Sequence, residues 1–151
     1  MPTFSTDYAT AQASALTDQS KAPSLGAYGG DVKYLEATVS VPGTFAVNDV
    51  IRIARLPAGA RVIPSLISVD YTDPGDACTL KIGDSSDDDR YASGLALGNA
   101  AGRKELTEGT EGVAFTTPFK TTSADWLQAV ITTATSAAAH TQTWHIFYTL
   151  G

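Results

Sequence analysis

The chain has 151 residues, 43% of them hydrophobic and 17% charged, with 10 Lys and Arg against 16 Asp and Glu for a net charge of −6. That is one domain's worth of chain, able to bury roughly 70% of its unfolded surface without a metal or disulfide to hold it. Cys78 is the single cysteine, which excludes an internal disulfide and a cysteine-based metal cluster within one chain.

With a pI near 4.6 and no stretch that concentrates basic residues away from acids, the charge balance argues against nucleic acid and anionic membrane surfaces as partners. The segment from Met1 to Lys21 carries Asp7 and Asp18 with no early basic residue, unlike a signal peptide. No segment approaches the roughly 18 consecutive apolar residues of a membrane span, so a soluble protein is expected.

In chain order, residues 1–33 are rich in Ala, Ser, Thr and Gln and close on Pro23, Gly26, Gly29 and Gly30. They read as an N-terminal arm, with residues 34–151 as the folded domain. Phe4, Tyr8, Leu16, Leu25 and Tyr28 are the arm's large apolar groups, too few for a core of their own but spaced as anchors for a partner surface. Ala9 to Leu16 has the weak apolar face of a short helix that needs such a surface. By composition alone the same stretch also reads as a disordered tail.

From Tyr34 the hydrophobic period becomes two: Leu35, Ala37, Val39 and Val41 on one face, Glu36, Thr38 and Ser40 on the other. Pro42-Gly43 ends that strand. A second runs from Val50 to Leu56 with Ile51 and Ile53 inward and Arg52 outward. Pro57-Ala58-Gly59 is then a turn expected to need a positive φ at Gly59 and to set the register between the Arg52 and Val62 strands. Ala60 to Thr72 reads as one long strand in which Pro64, lacking an N–H, marks an edge, a bulge or a bend.

Asp73-Pro74-Gly75-Asp76 is a turn, Cys78 to Ile82 a short strand, and Asp84 to Asp89 an acidic loop. Arg90 to Ala92 is a short strand entering a Gly-rich connection through Gly94, Gly98 and Gly102. Val113 to Phe119, Trp126 to Thr133 and His140 to Leu150 complete about eight strands. With no long helical pattern and no internal repeat, the fold class is an all-β antiparallel β-sandwich.

The chemical motifs are sparse. Gly83-Asp84-Ser85 superficially resembles a hydrolase Gly-Asp-Ser motif, but the required downstream Asp-x-x-His is missing: Asp125 is followed at the third position by Gln128. Asp84, Asp87, Asp88 and Asp89 have carboxylate oxygens enough for calcium but match no defined calcium loop. They read as a solvated loop, with a metal site or a contact to a partner's Lys or Arg as alternatives. His140 and His145, five apart, fall on opposite faces of one strand and cannot jointly bind a metal without a bulge. Trp126 and Trp144 sit at strand spacing as core or rim aromatics, and Cys78 as a small buried hydrophobe. No catalytic residue, cofactor site or metal site is expected, and no enzyme activity.

The segment Asp49-Val50-Ile51-Arg52-Ile53-Ala54-Arg55-Leu56-Pro57-Ala58-Gly59-Ala60-Arg61-Val62-Ile63 resembles one found in small virion proteins of tailed bacteriophages. The similarity continues through Leu66 to Tyr71, Thr79-Leu80-Lys81-Ile82-Gly83 and Asp89-Arg90-Tyr91. The resemblance implies a jelly-roll sandwich that decorates or cements a capsid lattice: a homotrimer bound to the major capsid protein on the virion exterior, assembled in the host cytoplasm. The acidic balance favours that exterior over contact with packaged DNA. The alternatives are a carbohydrate- or receptor-binding sandwich using Trp126, Trp144, Tyr91 or loop carboxylates, and a neck or tail component of the virion. The last strand, Trp144 to Leu150, has apolar groups on both faces, which agrees with cover from a second copy.

Overall fold

A computed structural model describes residues 31–43, 45–106, 119–133 and 137–151. Among them the strands are β1 (Lys33–Val41), β2 (Val50–Leu56), β3 (Ala60–Val62), β4 (Ser68–Tyr71), β5 (Cys78–Gly83), β6 (Ala92–Leu97), β7 (Gly102–Glu105), β8 (Asp125–Thr133) and β9 (His140–Leu150). One sheet has the order β1-β9-β4-β7, with β3 also on β9, and the other the order β2-β8-β5-β6. All pairings are antiparallel. The chain passes repeatedly from one sheet to the other, and with β3 and β4 taken as one broken strand the two orders are those of a jelly roll.

The period-two pattern explains which faces meet. Cys78, Leu80 and Ile82 of β5, Leu127, Ala129 and Ile131 of β8, and Trp144 and Ile146 of β9 are all buried, with Ile51, Leu56, Val69, Leu95 and Leu97 completing the core. Each large aliphatic side chain so removed from water contributes roughly 1.5 to 3 kcal/mol. Cys78 is buried, as the sequence predicts, and of the two places its spacing left open, core or rim, Trp144 takes the core. Trp126 is half-buried on the rim, with the Arg52 guanidinium 5.3 Å from its ring centre.

The stretch from Ala60 to Thr72 is two strands, not one. Ile63 N–H still donates to Phe147 O (2.9 Å), and then Pro64–Leu66 forms a 3-10 turn in which Ile67 N–H donates to Pro64 O (3.0 Å). A continuous strand would put Val62 and Ile67, five apart, on opposite faces. The turn changes the phase, and both are buried. Both flanking strands keep β9 as neighbour, β3 at Tyr148 to Leu150 and β4 at Gln142 to His145.

The Pro57-Ala58-Gly59 turn does not join paired strands either. β2 pairs with β8 and β3 with β9, so the turn carries the chain across the sandwich. Gly59 does have φ +83°, and a Cβ there would lie 3.4 Å from Gly151 O. Thr121 clamps this corner: its hydroxyl accepts from Ala60 N–H (2.9 Å) and donates to Pro57 O (2.8 Å), while its carbonyl accepts from Gly59 N–H (2.8 Å).

The expected Gly-rich connection holds two strands, β6 and β7, with β6 beginning at Ala92 where the predicted short strand ends. Glycines blur the alternation there. Gly98 N–H donates to the Tyr71 hydroxyl (2.9 Å), and a Cβ on Gly102 would come within 3.2 Å of that oxygen. β1 starts at Lys33, at the last position assigned to the arm. The predicted helix from Ala9 to Leu16 and most of the predicted strand from Val113 to Phe119 lie outside the described residues, and Phe119 itself is not in a strand.

Candidate functional site

Two surfaces gather the polar side chains. The first is the outward face of the β1-β9-β4-β7 sheet. Register places Glu36, His145, Ser68 and Glu105 opposite one another across the four strands, with Asp70 opposite Arg103 two residues on. His145 Nε2 lies 2.8 Å from Asp70 Oδ2 and its Nδ1 lies 2.7 Å from the Tyr34 hydroxyl, which donates to Glu36 at 2.9 Å. Arg103 extends the row to Asp70 (3.2 Å) and donates to Ser68 Oγ (2.8 Å).

The hydrogen bond to Glu36 holds the Tyr34 hydroxyl above the usual phenol range. Both imidazole nitrogens of His145 are engaged, so the ring bridges strands and offers no lone nitrogen to a substrate. Beside this row Tyr34 lies over Phe147, ring centres 5.1 Å apart. Tyr34 thus covers the outward apolar group of β9 within the same chain.

The second surface is the acidic loop after β5. Asp84 is 4% exposed and turned inward, accepting from Ser86 N–H (2.9 Å), Ser86 Oγ (2.7 Å), Asp87 N–H (3.0 Å) and Arg90 Nε. Burial raises the Asp84 pKa, but the bonds from Arg90 and Ser86 outweigh it and hold the carboxyl below the usual range. Arg90 in turn stacks 3.7 Å from the centre of the Phe119 ring. The loop folds so closely onto Gly83 that a Cβ there would meet Asp87 O at 2.0 Å. Tyr91, next in the chain, is fully buried with its hydroxyl unpaired among the described residues; burial, then the Asp84 charge, drives its pKa far up.

The four carboxylates therefore do not act together. Asp84 is buried against Arg90, which also reaches Asp87 (3.7 Å), whereas Asp87, Asp88 and Asp89 have oxygens within 4.8 Å of one another, and Lys81 pairs with Asp88 (3.2 Å) and Asp89 (3.6 Å). A neighbouring cavity of about 270 Å³ lies between the Asp84–Ser86 turn and residues 119–125. At its wall Ser85 Oγ donates to both Asp125 oxygens at 2.7 Å. That hydroxyl–carboxylate pair has no imidazole beside it, since both histidines lie on β9 in the other sheet.

His140 and His145 do fall on opposite faces of β9. His140 is buried at one end of a hydrogen-bonded row: Trp144 Nε1–H donates to Gln142 Oε1 (3.1 Å), and Gln142 Nε2–H donates to His140 Nε2 (2.9 Å). With Nε2 accepting, Nδ1 carries the proton and donates to Ala138 O (3.2 Å). Sequence reasoning singled out His140 and Trp144 but missed Gln142, although its spacing of two from each was the available signal. It also missed the Glu36–Tyr34–His145–Asp70–Arg103 row, whose members share a face only once the strand register is known. Phe4, Tyr8, Leu16, Leu25 and Tyr28 lie outside the described residues.

No protein-family model matches the chain, and no curated protein matches it in sequence. Solved structures do match in fold. A chain in the cyanophage Pam1 capsid asymmetric unit superposes with a TM-score of 0.59 at 20% identity, covering 81% of this chain and 86% of that one. A chain in the capsid of Ralstonia phage GP4 gives a TM-score of 0.62 at 21% identity with the same coverage, 81% and 86%. The jelly-roll fold is thus shared with chains found in phage capsids.

Proposed function

We infer that the protein is a structural, non-enzymatic component of a bacteriophage virion, a decoration or cement protein that binds the outer surface of the major capsid lattice and stabilises the head. The observation that carries this reading is the likeness over 81% of the chain to chains of two phage capsids. Three features support it. Most polar groups of both surfaces are committed to bonds within the chain, as suits a rigid tile. The net charge of −6 favours the shell exterior over packaged DNA. The arm of residues 1–33 adds anchors, Phe4, Tyr8, Leu16, Leu25 and Tyr28, for grooves between capsid subunits.

In this reading the protein joins the virion after synthesis in the host cytoplasm, and works as a homotrimer. The trimer rests on the family resemblance, because Tyr34 already covers the outward Phe147 that otherwise called for a second copy. Purified protein added to shells that lack it should bind in hundreds of copies per particle and raise the temperature at which the shells open. A dozen copies or fewer would place it at the neck or tail, and no binding would remove the capsid reading. Light scattering should report about three times the 15.7 kDa chain mass.

A further inference from the structure

Among the described residues the two sheet paths end in four strands, β1 and β7 in one and β2 and β6 in the other, and three of these four are obstructed. β7 is only 4 residues long and carries Arg103, Lys104 and Glu105. β2 is bulged between Arg52 and Ala54, with Arg52 and Arg55 pointing to solvent. β6 contains Gly94 and loses register against β5 between Leu80 and Ile82. Such devices keep the open backbone groups of an edge from pairing with another chain.

β1 has none of them. It is 9 residues long without Pro or Gly, and it keeps one register with β9 from Lys33 opposite Tyr148 to Val41 opposite His140. Its charges are Lys33 at the first position and Glu36. Among the described residues no strand lies on its other side. On its inner face Leu35, Ala37 and Val39 are only half-buried, whereas Val41 is 2% exposed.

We propose that β1 pairs antiparallel with β1 of a second copy of this chain about a two-fold axis at Ala37, continuing the sheet across both molecules. Ala37 is the midpoint of Lys33–Val41, so this axis alone overlaps the whole strand with itself. It sets Leu35 opposite Val39 and Tyr34 opposite Ser40 of the second copy, and each half-buried apolar group gains a cross-strand neighbour. It also sets Glu36 opposite Thr38, so no like charges meet; an axis one residue earlier would place Glu36 against Glu36. The contact is isologous. It is separate from any three-fold assembly, and depends on the edge rather than on the capsid role.

Thr38 is exposed, with its hydroxyl 3.1 Å from that of Thr143, so its substitution reports on the axis without entering the core. Thr38→Glu creates two like-charge contacts with Glu36 across the axis, and Thr38→Lys creates two opposite-charge contacts. Sedimentation equilibrium of the full chain, from low micromolar concentrations upward, should show the species present at the dilute end, the single chain or the trimer read by light scattering, associating in pairs as the concentration rises. Thr38→Glu should weaken that doubling and Thr38→Lys tighten it, the two differing by on the order of tenfold at low salt. Hydrogen exchange should show alternate β1 amides gaining protection as the unmodified protein associates, a readout that holds even if a variant fails to fold. No doubling, variants that shift together, or doubling with β1 amides unprotected would each overturn the proposal.

Discussion

Asp84 shows how one side chain is spoken for. Its carboxylate is buried, yet Arg90 and the Ser86 and Asp87 donors keep it ionised. Because its folded pKa lies below the unfolded value of about 4, the stability it contributes is fully present above that value and is lost as pH falls through the folded pKa. Asp84→Asn leaves Arg90 with only the longer Asp87 contact (3.7 Å) and the Ser86 hydroxyl (3.0 Å), and should cost about 1 to 3 kcal/mol at neutral pH. Urea titrations should show that gap narrowing in acid, and a gap constant from neutral pH to pH about 3 would contradict the account. The buried row on β9 gives a second residue-scale prediction. Gln142→Leu leaves His140 Nε2 and Trp144 Nε1 without partners and should lower stability by about 2 to 4 kcal/mol in the same titrations.

At the scale of elements, the corner between β2 and β3 decides how the chain crosses the sandwich. Gly59 at φ +83° occupies a region that β-branched residues avoid, so Gly59→Val should cost about 1 to 3 kcal/mol. An unchanged denaturant midpoint would show that the corner relaxes without strain. The φ was legible in the sequence, because Pro-Ala-Gly between two strands calls for it. The change of sheet was not, since Arg52 and Val62 look equally able to pair with each other or with β8 and β9. The Pro64 turn is the converse case: the missing N–H announced an interruption, but its 3-10 geometry and the resulting change of phase depend on Ile63 holding β9 while Ile67 enters the core.

For the whole molecule, the proposed arm separates attachment from folding. The described strands already share a continuous core that begins with β1, so deleting residues 2–30 should leave the thermal midpoint of the isolated domain within a few degrees of full length. The same deletion should weaken attachment to shells that lack the protein. About 25 extended residues reach on the order of 80 Å, far enough to cross onto an adjoining capsomer. Ordering them loses conformational entropy that only burial of the apolar anchors in partner pockets can offset. A truncated protein that fails to fold, or that stabilises shells as well as the intact chain does, would end the arm hypothesis.

Alternation along single segments was enough to orient β1 and β2, because the period of two is a property of each strand by itself: Leu35 faces in and Glu36 out whatever lies beside them. It also separated His140 from His145, while Cys78 read as a small buried hydrophobe and Trp144 as core or rim. Pairing is a property of distant segments, and nothing local marks it. That Ser68 lies opposite both His145 and Glu105 follows from the jelly-roll order, which the resemblance implied but no spacing in the chain reveals. The outward row from Glu36 to Arg103, the inward turn of Asp84, and the edge of β1, unpaired among the described residues, were therefore decided by tertiary structure. Each depends on which backbone comes to lie alongside another, a choice made by burying two whole sheet faces at once.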